Sequence, residues 1–435
     1  MSVNRLEVEI LAIGAGPGNL ALAVALEELA PELARETIIV EQYEEVLWQR
    51  GMLLPWSQSQ VSYLKDLVTL RNPQSKFSFI SYLHKIGRLN DFINLGCATP
   101  YRLEISDYLS WVARNLSDVR IQGGRRCMSI EPEITGTDDE ITSWLVQLSD
   151  GTEVSARNLV VGTGRDAHVP AEFQGLPKDR VIHSTEYAMR IDSIDPASAN
   201  RVVVVGGAQS AAEMLWATHQ QFPQAQCTMI MRSIGLNCYE SSRFTNELYY
   251  PEFVDEFHNA LPEAREQLLR EMHRSNYSGL APGLLEVLYR QIYLDRMTGA
   301  DRLRMRTMVE IIDARMVDGE VEITLRDRKN GSLERMTCDL VLLGTGFEKA
   351  MPGLVRGIAG SVGVSEITVD RNYRMRLPAH IQAGCYLQGL NEATHGIADT
   401  LLSVLAIRAQ EIVQDMLLHT RQPAAELVTT VPMPS

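Results

Sequence analysis

Residues Glu7 to Ile13 form an alternating, increasingly apolar run that passes straight into Gly14-Ala15-Gly16-Pro17-Gly18-Asn19. Leu20 to Leu26 follow, all small or apolar and compatible with a helix. A strand, a glycine turn and a helix N-terminus in that order make a phosphate cradle. The first glycine permits the tight turn, and the second lets a pyrophosphate approach the backbone. The exposed N–H groups then supply partial positive charge. Strand context makes this far more specific than a bare glycine pattern. The next strand, Glu36 to Val40, ends in Glu41, 27 positions after Gly14. That is roughly where a carboxylate accepts hydrogen bonds from a ribose 2′-OH. Asn19 stands where a third glycine is usual. The expected cradle residues are therefore Gly14, Gly16, Pro17, Asn19 and Glu41.

At 435 residues the chain has room for two or three domains. A net charge of −14 with no offsetting basic stripe argues against a nucleic-acid partner. Six scattered cysteines include no CxxC pair, so the reading is reduced thiols, no metal site and a cytoplasmic location. No apolar run approaches the length of a membrane span, and no charged-then-apolar leader precedes the first strand.

A second cradle lies at Arg201 to Val205 followed by Gly206-Gly207-Ala208-Gln209-Ser210-Ala211-Ala212-Glu213. Its next strand ends in Arg232, 26 positions after Gly206. An acid at the strand end repels a 2′-phosphate, whereas an arginine binds one bidentately. The first cradle therefore reads as an FAD site and the second as an NADPH site. Two units with period-2 patterning and an Asp-Gly turn, Asp150-Gly151 and Asp318-Gly319, each lead to Gly-Thr-Gly, at Gly162–Gly164 and Gly344–Gly346. The repeat argues for two related α/β domains threaded through each other. Helices are expected at 77–86 and 105–116. Residues 42–66 read as an irregular segment lining a cofactor's reactive end. Residues 234–300 are helix-rich, with Asn246 and Asn276 offered as pocket residues, although a loop asparagine taken alone is more often a turn residue or helix cap. A glycine turn near Gly396 is expected to open a late helix, aimed at the flavin's pyrimidine end.

These residues together resemble the ornithine/lysine N-monooxygenases of hydroxamate siderophore pathways, over nearly the whole chain. The resemblance is carried by Gly14–Leu20, Gly51-Met-Leu-Leu54, Leu64-Lys-Asp-Leu-Val-Thr-Leu-Arg-Asn-Pro73, Gly206–Glu213, Asn276-Tyr-Ser278 and His395-Gly-Ile-Ala-Asp-Thr-Leu-Leu-Ser-Val-Leu405. The Leu64 and Asp399 runs look closest to ornithine N5-monooxygenases. The resemblance implies two Rossmann-like domains: FAD-binding at 1–165 and 340–435, NADPH-binding at 166–233 and 301–339, with a helical substrate-binding region at 234–300. It implies N-hydroxylation of the L-ornithine side-chain amine with O₂, through a C4a-hydroperoxyflavin. L-Lysine or a diamine stands as the alternative substrate. Carried over by position, Lys65 binds the substrate carboxylate, Asn246 and Ser403 hold the amino-acid end, and Asn276 lies beside the amine and the nicotinamide ribose. Gln60 contacts the flavin's reactive region, so Gln60 and Asn276 are the expected catalytic residues. Trp48, Gln49, Asp399 and Leu401 fall on the flavin side, and Gln209, Ser210 and Arg232 on the NADPH side. The family's usual assembly implies a homo-oligomer, tetramer or dimer. Two departures stand out: Gln49 where the family usually has histidine, and Arg50 where it usually has proline.

Phe173-Gln-Gly175 followed by His183-Ser184 loosely resembles the Baeyer–Villiger and flavin-containing monooxygenase fingerprint, but the expected downstream tryptophan is absent. The missing cysteine pair excludes a disulfide reductase. A non-catalytic flavin-binding sensor is the reading from another class.

Overall fold

In the computed structural model, which describes residues 4–134 and 140–420, the first sheet is built around Arg5–Ile13. Its order is Arg120–Gln122, Thr37–Val40, Arg5–Ile13, Glu153–Val161, Ile141–Leu148, Cys127–Ile134. The first four strands are parallel and the last two close an antiparallel hairpin. Gly384–Leu387 pairs in parallel with the C-terminal half of Glu153–Val161. The second sheet, Leu303–Arg306, Gln226–Ile230, Arg201–Val205, Leu340–Leu343, Val181–His183, is parallel throughout. Strands such as Thr37–Val40 and Leu340–Leu343 are buried at every residue, as expected of parallel strands covered on both faces. Three antiparallel strands, Val309–Val317, Glu320–Asp327 and Leu333–Cys338, form a third sheet packed on the second. The Asp318-Gly319 turn has φ of +49° and +84°, the double-positive geometry that Asp-Gly favours.

Several expectations shift. Leu340–Leu343 pairs with Arg201–Val205, so it belongs to the second sheet, and the return to the first unit comes later than residue 340. Asp339 fixes this start, its carboxylate accepting from the Arg201 backbone N–H (2.8 Å) and guanidinium (3.0 Å). The expected helix at 77–86 is Phe79–Lys85, begun where the Ser78 side chain accepts from the Ser81 N–H. The one expected at 105–116 starts earlier, as Arg102–Asn115. The late helix begins only at Leu405 and runs to Thr420. Before it come the short helix Glu392–His395, Gly396 at φ +77° and the 3₁₀ turns Ile397–Thr400 and Leu402–Val404. Asp399 imposes the detour, accepting from the Asn391 backbone N–H (2.7 Å) and from Arg408 (2.9 Å). The chain is thereby folded back across the stretch that would otherwise continue as helix. No helix among the described residues is long and apolar enough to cross a membrane.

Asn19 explains its own departure from glycine. Fully buried, it donates to the carbonyls of Ile13 (3.1 Å) and Gly14 (2.7 Å) and accepts from Gln388 (2.7 Å). Gln388 in turn accepts from Arg408 (3.1 Å), whose guanidinium reaches Asp399. One buried polar chain thus joins the first glycine turn to the late segment. Asn19→Ala strands the Gln388 amide and the Gly14 carbonyl, the Ile13 carbonyl keeping the Gly162 N–H (3.0 Å), so urea unfolding should show a loss of about 2–3 kcal/mol.

Candidate functional site

Both cradles are built the same way. A Cβ on Gly14 would stand 2.9 Å from the Gly162 carbonyl, and one on Gly206 would stand 2.4 Å from the Gly344 carbonyl. In each case the Gly-Thr-Gly that follows a hairpin crosses directly beneath the turn. The helices Pro17–Leu29 and Gln209–Gln221 begin at Gly16 and Ala208 without a side-chain cap. The helices at Ser78 and Ser242 carry a side-chain cap, while others such as Arg102–Asn115 and Pro262–Asn276 do not, so it is the glycine turn together with the missing cap that marks the two cradles. Uncapped N–H groups at a glycine turn are what a bound phosphate needs. Beside the first cradle lies a cleft of about 840 Å³, lined by Gly14, Gly16, Glu41, Arg125, Gly162 and Thr163 among others. Its size is within the range of cofactor sites. Glu41 accepts from the N–H groups of Ala15 (2.9 Å) and Tyr43 (3.1 Å). A carboxylate offers about four acceptor positions, so room is left for ribose hydroxyls. The residues fit a dinucleotide with an unphosphorylated ribose.

At the second cradle Ser210 is half-buried in the helix's first turn, and Arg232 is exposed just past Gln226–Ile230. The Arg232 carbonyl accepts from Arg328 (3.2 Å), while its guanidinium, near enough to Glu310 to help hold that carboxyl below its usual range, makes no hydrogen bond or ion pair among the described residues. It is thus free to meet an anion. Gln209 is differently placed: its amide donates to Glu213 (2.8 Å) and accepts from the Ala281 N–H (2.9 Å).

The predicted substrate residues converge in part. Lys65 Nζ lies 3.4 Å from Ser403 Oγ and 5.8 Å from the centre of the Tyr250 ring. Burial lowers the Lys65 pKa below the usual lysine value. Asn246 is exposed on the short helix Arg243–Glu247, four residues before Tyr250. Asn276 is the last residue of Pro262–Asn276 and half-buried. Two links bind these segments. Tyr249 hydrogen-bonds Ser275, and the Tyr277 hydroxyl meets Glu392 (3.0 Å) and Thr400 (2.9 Å). An apolar cluster of Tyr249, Val254, Met272, Ile397, Ala398 and Val404, with Leu401 at its edge, seats the helical insertion on the late segment. Lys65 and Ser403 are therefore brought together directly, with Asn246 and Asn276 anchored to their neighbours.

Gln60 is exposed, in a loop held by the Ser59 N–H on Pro100 (2.8 Å), and its side-chain amide makes no hydrogen bond among the described residues. Trp48 packs at the edge of the first core, with its backbone N–H on Ser106 (3.0 Å). Gln49 takes φ +51° and Arg50 stacks on Tyr43 at 4.5 Å. A proline at position 50 would restrict the residue before it to extended geometry, so the Gln49 turn and Arg50 go together. Asp399 is spent on Asn391 and Arg408 inside the protein. His395, stacked on Tyr373 at 4.1 Å, donates to the Arg371 carbonyl; burial lowers its pKa to about 4, so it is a neutral anchor. Sequence reasoning gave Gly51 only a motif: a Cβ there would meet the Thr185 carbonyl carbon at 2.1 Å, so the irregular segment lies flat on the second unit. It gave no role to Gln388 or Arg408, since no local pattern marks them. No group of three or more His, Cys, Asp or Glu among the described residues could hold a metal ion, and all six cysteines are unpaired.

Comparison with known proteins gives a consistent answer. The family described as L-lysine 6-monooxygenase/L-ornithine 5-monooxygenase matches residues 7–349. The L-ornithine N(5)-monooxygenase of Pseudomonas aeruginosa is 36% identical over 96% of this chain and 95% of its own length. The solved structure of ornithine hydroxylase PvdA from Pseudomonas aeruginosa aligns with a TM-score of 0.89 and 34% identity, over 96% of this chain and all of that one. An ornithine N-hydroxylase of Kutzneria sp. 744, described with reduced FAD, NADP⁺ and L-ornithine, aligns at 0.88 and 34%, over 95% of this chain and all of its own. A paired set of glycine cradles, a carboxylate at the first strand end, an arginine at the second and a match over most of the length leave one conclusion: the chain belongs to the L-lysine 6-monooxygenase/L-ornithine 5-monooxygenase family.

Proposed function

We propose that this protein uses FAD, NADPH and O₂ to hydroxylate the side-chain amine of L-ornithine. The observation that carries the substrate end is Lys65 beside Ser403, a half-buried ammonium at the seam between the first unit and the helical insertion. A cation in that place suits a carboxylate and repels a protonated amine, so the amine of a bound amino acid points away from it. When bound, FAD would activate O₂, which gives one oxygen atom to the amine and the other to water, with NADPH supplying the two electrons.

The chain's own residues have three tasks in this reading. Glu41 and the uncapped helix at Gly16 hold the FAD ribose and pyrophosphate. Arg232 holds the 2′-phosphate of NADPH, the feature that separates it from NADH. Lys65, Ser403 and Asn246 hold the amino-acid end, and Asn276 faces the amine. An alkylamine of pKa near 10.4 costs roughly 4–5 kcal/mol to deprotonate at neutral pH. Burial beneath the insertion, away from Lys65, lowers that cost. No general-base triad is required of the protein, because a neutral amine is itself the nucleophile.

The test is to supply the FAD-loaded enzyme and NADPH with L-ornithine, L-lysine, putrescine and cadaverine in parallel, and to measure hydroxylamine rather than NADPH loss. L-Ornithine should give the highest yield; no hydroxylamine from any amine would defeat the reading. Lys65→Met should lower kcat/KM for ornithine about 10–100-fold and leave putrescine, which has no carboxylate, unchanged. In the wild-type enzyme the charge on Lys65 is lost as pH rises through its lowered pKa. The kcat/KM profile for ornithine should therefore fall on the alkaline side below the usual lysine range, and that limb should be absent for putrescine. Arg232→Ala should raise the KM for NADPH about tenfold or more and hardly touch NADH, as measured by flavin reduction.

A further inference from the structure

One buried ion pair joins the second cradle to the first unit. Arg102, at the start of Arg102–Asn115, donates to both carboxylate oxygens of Glu213 (2.9 and 2.7 Å) and to the Met52 carbonyl (3.0 Å). The two side chains are 9% and 1% exposed. A pair this deep gives up its hydration on both sides, so net stabilisation is a weak account of it, and replacement by apolar residues is often neutral. Its geometry says more. Glu213 also accepts from Gln209 in the first turn of the cradle helix, and Gln209 accepts from the Ala281 N–H. Ala281 ends the loop that begins at Asn276. That loop is held on its other side as well: the Leu280 N–H donates to Asn237 (2.9 Å), and a Cβ on Gly279 would lie 2.2 Å from the Tyr239 Cα. The irregular segment at Met52, the first unit's helix, the second cradle and the Asn276 loop therefore share one continuous polar path.

We propose that Arg102, Glu213 and Gln209 are positioning residues that set the second cradle and the Asn276 loop in register with the first unit. The inference rests on the NADPH-dependent hydroxylase reading, and it gives Gln209 an internal role in place of the direct cofactor contact expected from the family pattern. Because the path passes through the cradle helix, its loss shifts how NADPH is presented and how well the amine is aligned, while FAD retention through Gly14, Gly16 and Glu41 is untouched.

The experiment uses full-length, FAD-loaded protein carrying Arg102→Met and Glu213→Leu together, a change that leaves no lone charge buried. Glu213→Gln, which keeps the shape and an acceptor, is the second variant. Three quantities are read: thermal midpoint, the NADPH concentration that half-saturates flavin reduction without oxygen or amine, and the share of NADPH electrons recovered as hydroxylamine. The expected result is half-saturation raised about tenfold, with hydroxylamine yield falling and H₂O₂ making up the difference, in protein that keeps its flavin. Wild-type half-saturation and yield in either variant that folds would overturn the proposal, leaving the pair a packing feature alone. Flavin reduction needs no amine, so a wild-type enzyme that hydroxylates nothing would sink the functional reading without touching this measurement.

Discussion

At Gly14 and Gly206 the backbone takes φ of +90° and +141° while another strand's carbonyl passes underneath. Each position demands glycine twice over, for its dihedral and for the close approach, and the obstructing atom is backbone that cannot swing aside. The crossing decides where each strand must stop and where each helix must start, and so which N–H groups remain uncapped at the turn. Cofactor reading at both sites follows from that constraint. On the proposed reading, the acid and the arginine at the neighbouring strand ends then only discriminate between two kinds of ribose.

Features whose cause is local were readable in the sequence. The glycine turns, the Asp-Gly hairpins and the wholly apolar strands each depend on residues a few positions apart. What resisted reading depends on partners far along the chain. Asn19 is explained by Gln388, 369 positions away, and Arg102 by Glu213, 111 positions away. The stretch after Gly396 carries helical propensity that tertiary hydrogen bonds to Asp399 override. The boundary at 340 implied by the resemblance put Leu340–Leu343 in the first unit, yet its pairing partner is Arg201–Val205.

The run from Leu64 to Pro73 shows how a family pattern mixes scaffold with site. Asp66 accepts from the N–H groups of Val68 (2.9 Å), Thr69 (2.6 Å) and Phe79 (2.7 Å), pinning the turn to the following helix. Arg71 and Asn72 both reach Glu28 on the first cradle's helix (2.7 and 3.1 Å). Their work is to hold the turn that presents Lys65. A residue-type argument could not separate Lys65 from its neighbours. Burial can: of the run's two cations, Lys65 is half-buried with no carboxylate partner among the described residues, while Arg71 is paired with Glu28.

On the proposed reading the substrate's two ends are held by different bodies of the fold. Lys65 and Ser403 belong to the first unit, whereas Asn246 and Asn276 ride on the insertion. Their separation is set by the apolar contact of Tyr249, Val254 and Met272 on Ile397, Ala398 and Val404, and by the hydroxyls of Tyr249 and Tyr277. Discrimination between amines differing by one methylene, typically about 1–3 kcal/mol, then comes from how far the insertion sits from the late segment. No single pocket residue need encode it. That makes substrate length a property of packing between segments roughly 120–150 positions apart in the sequence, the kind of property for which Lys65 and the two asparagines alone carry no signal.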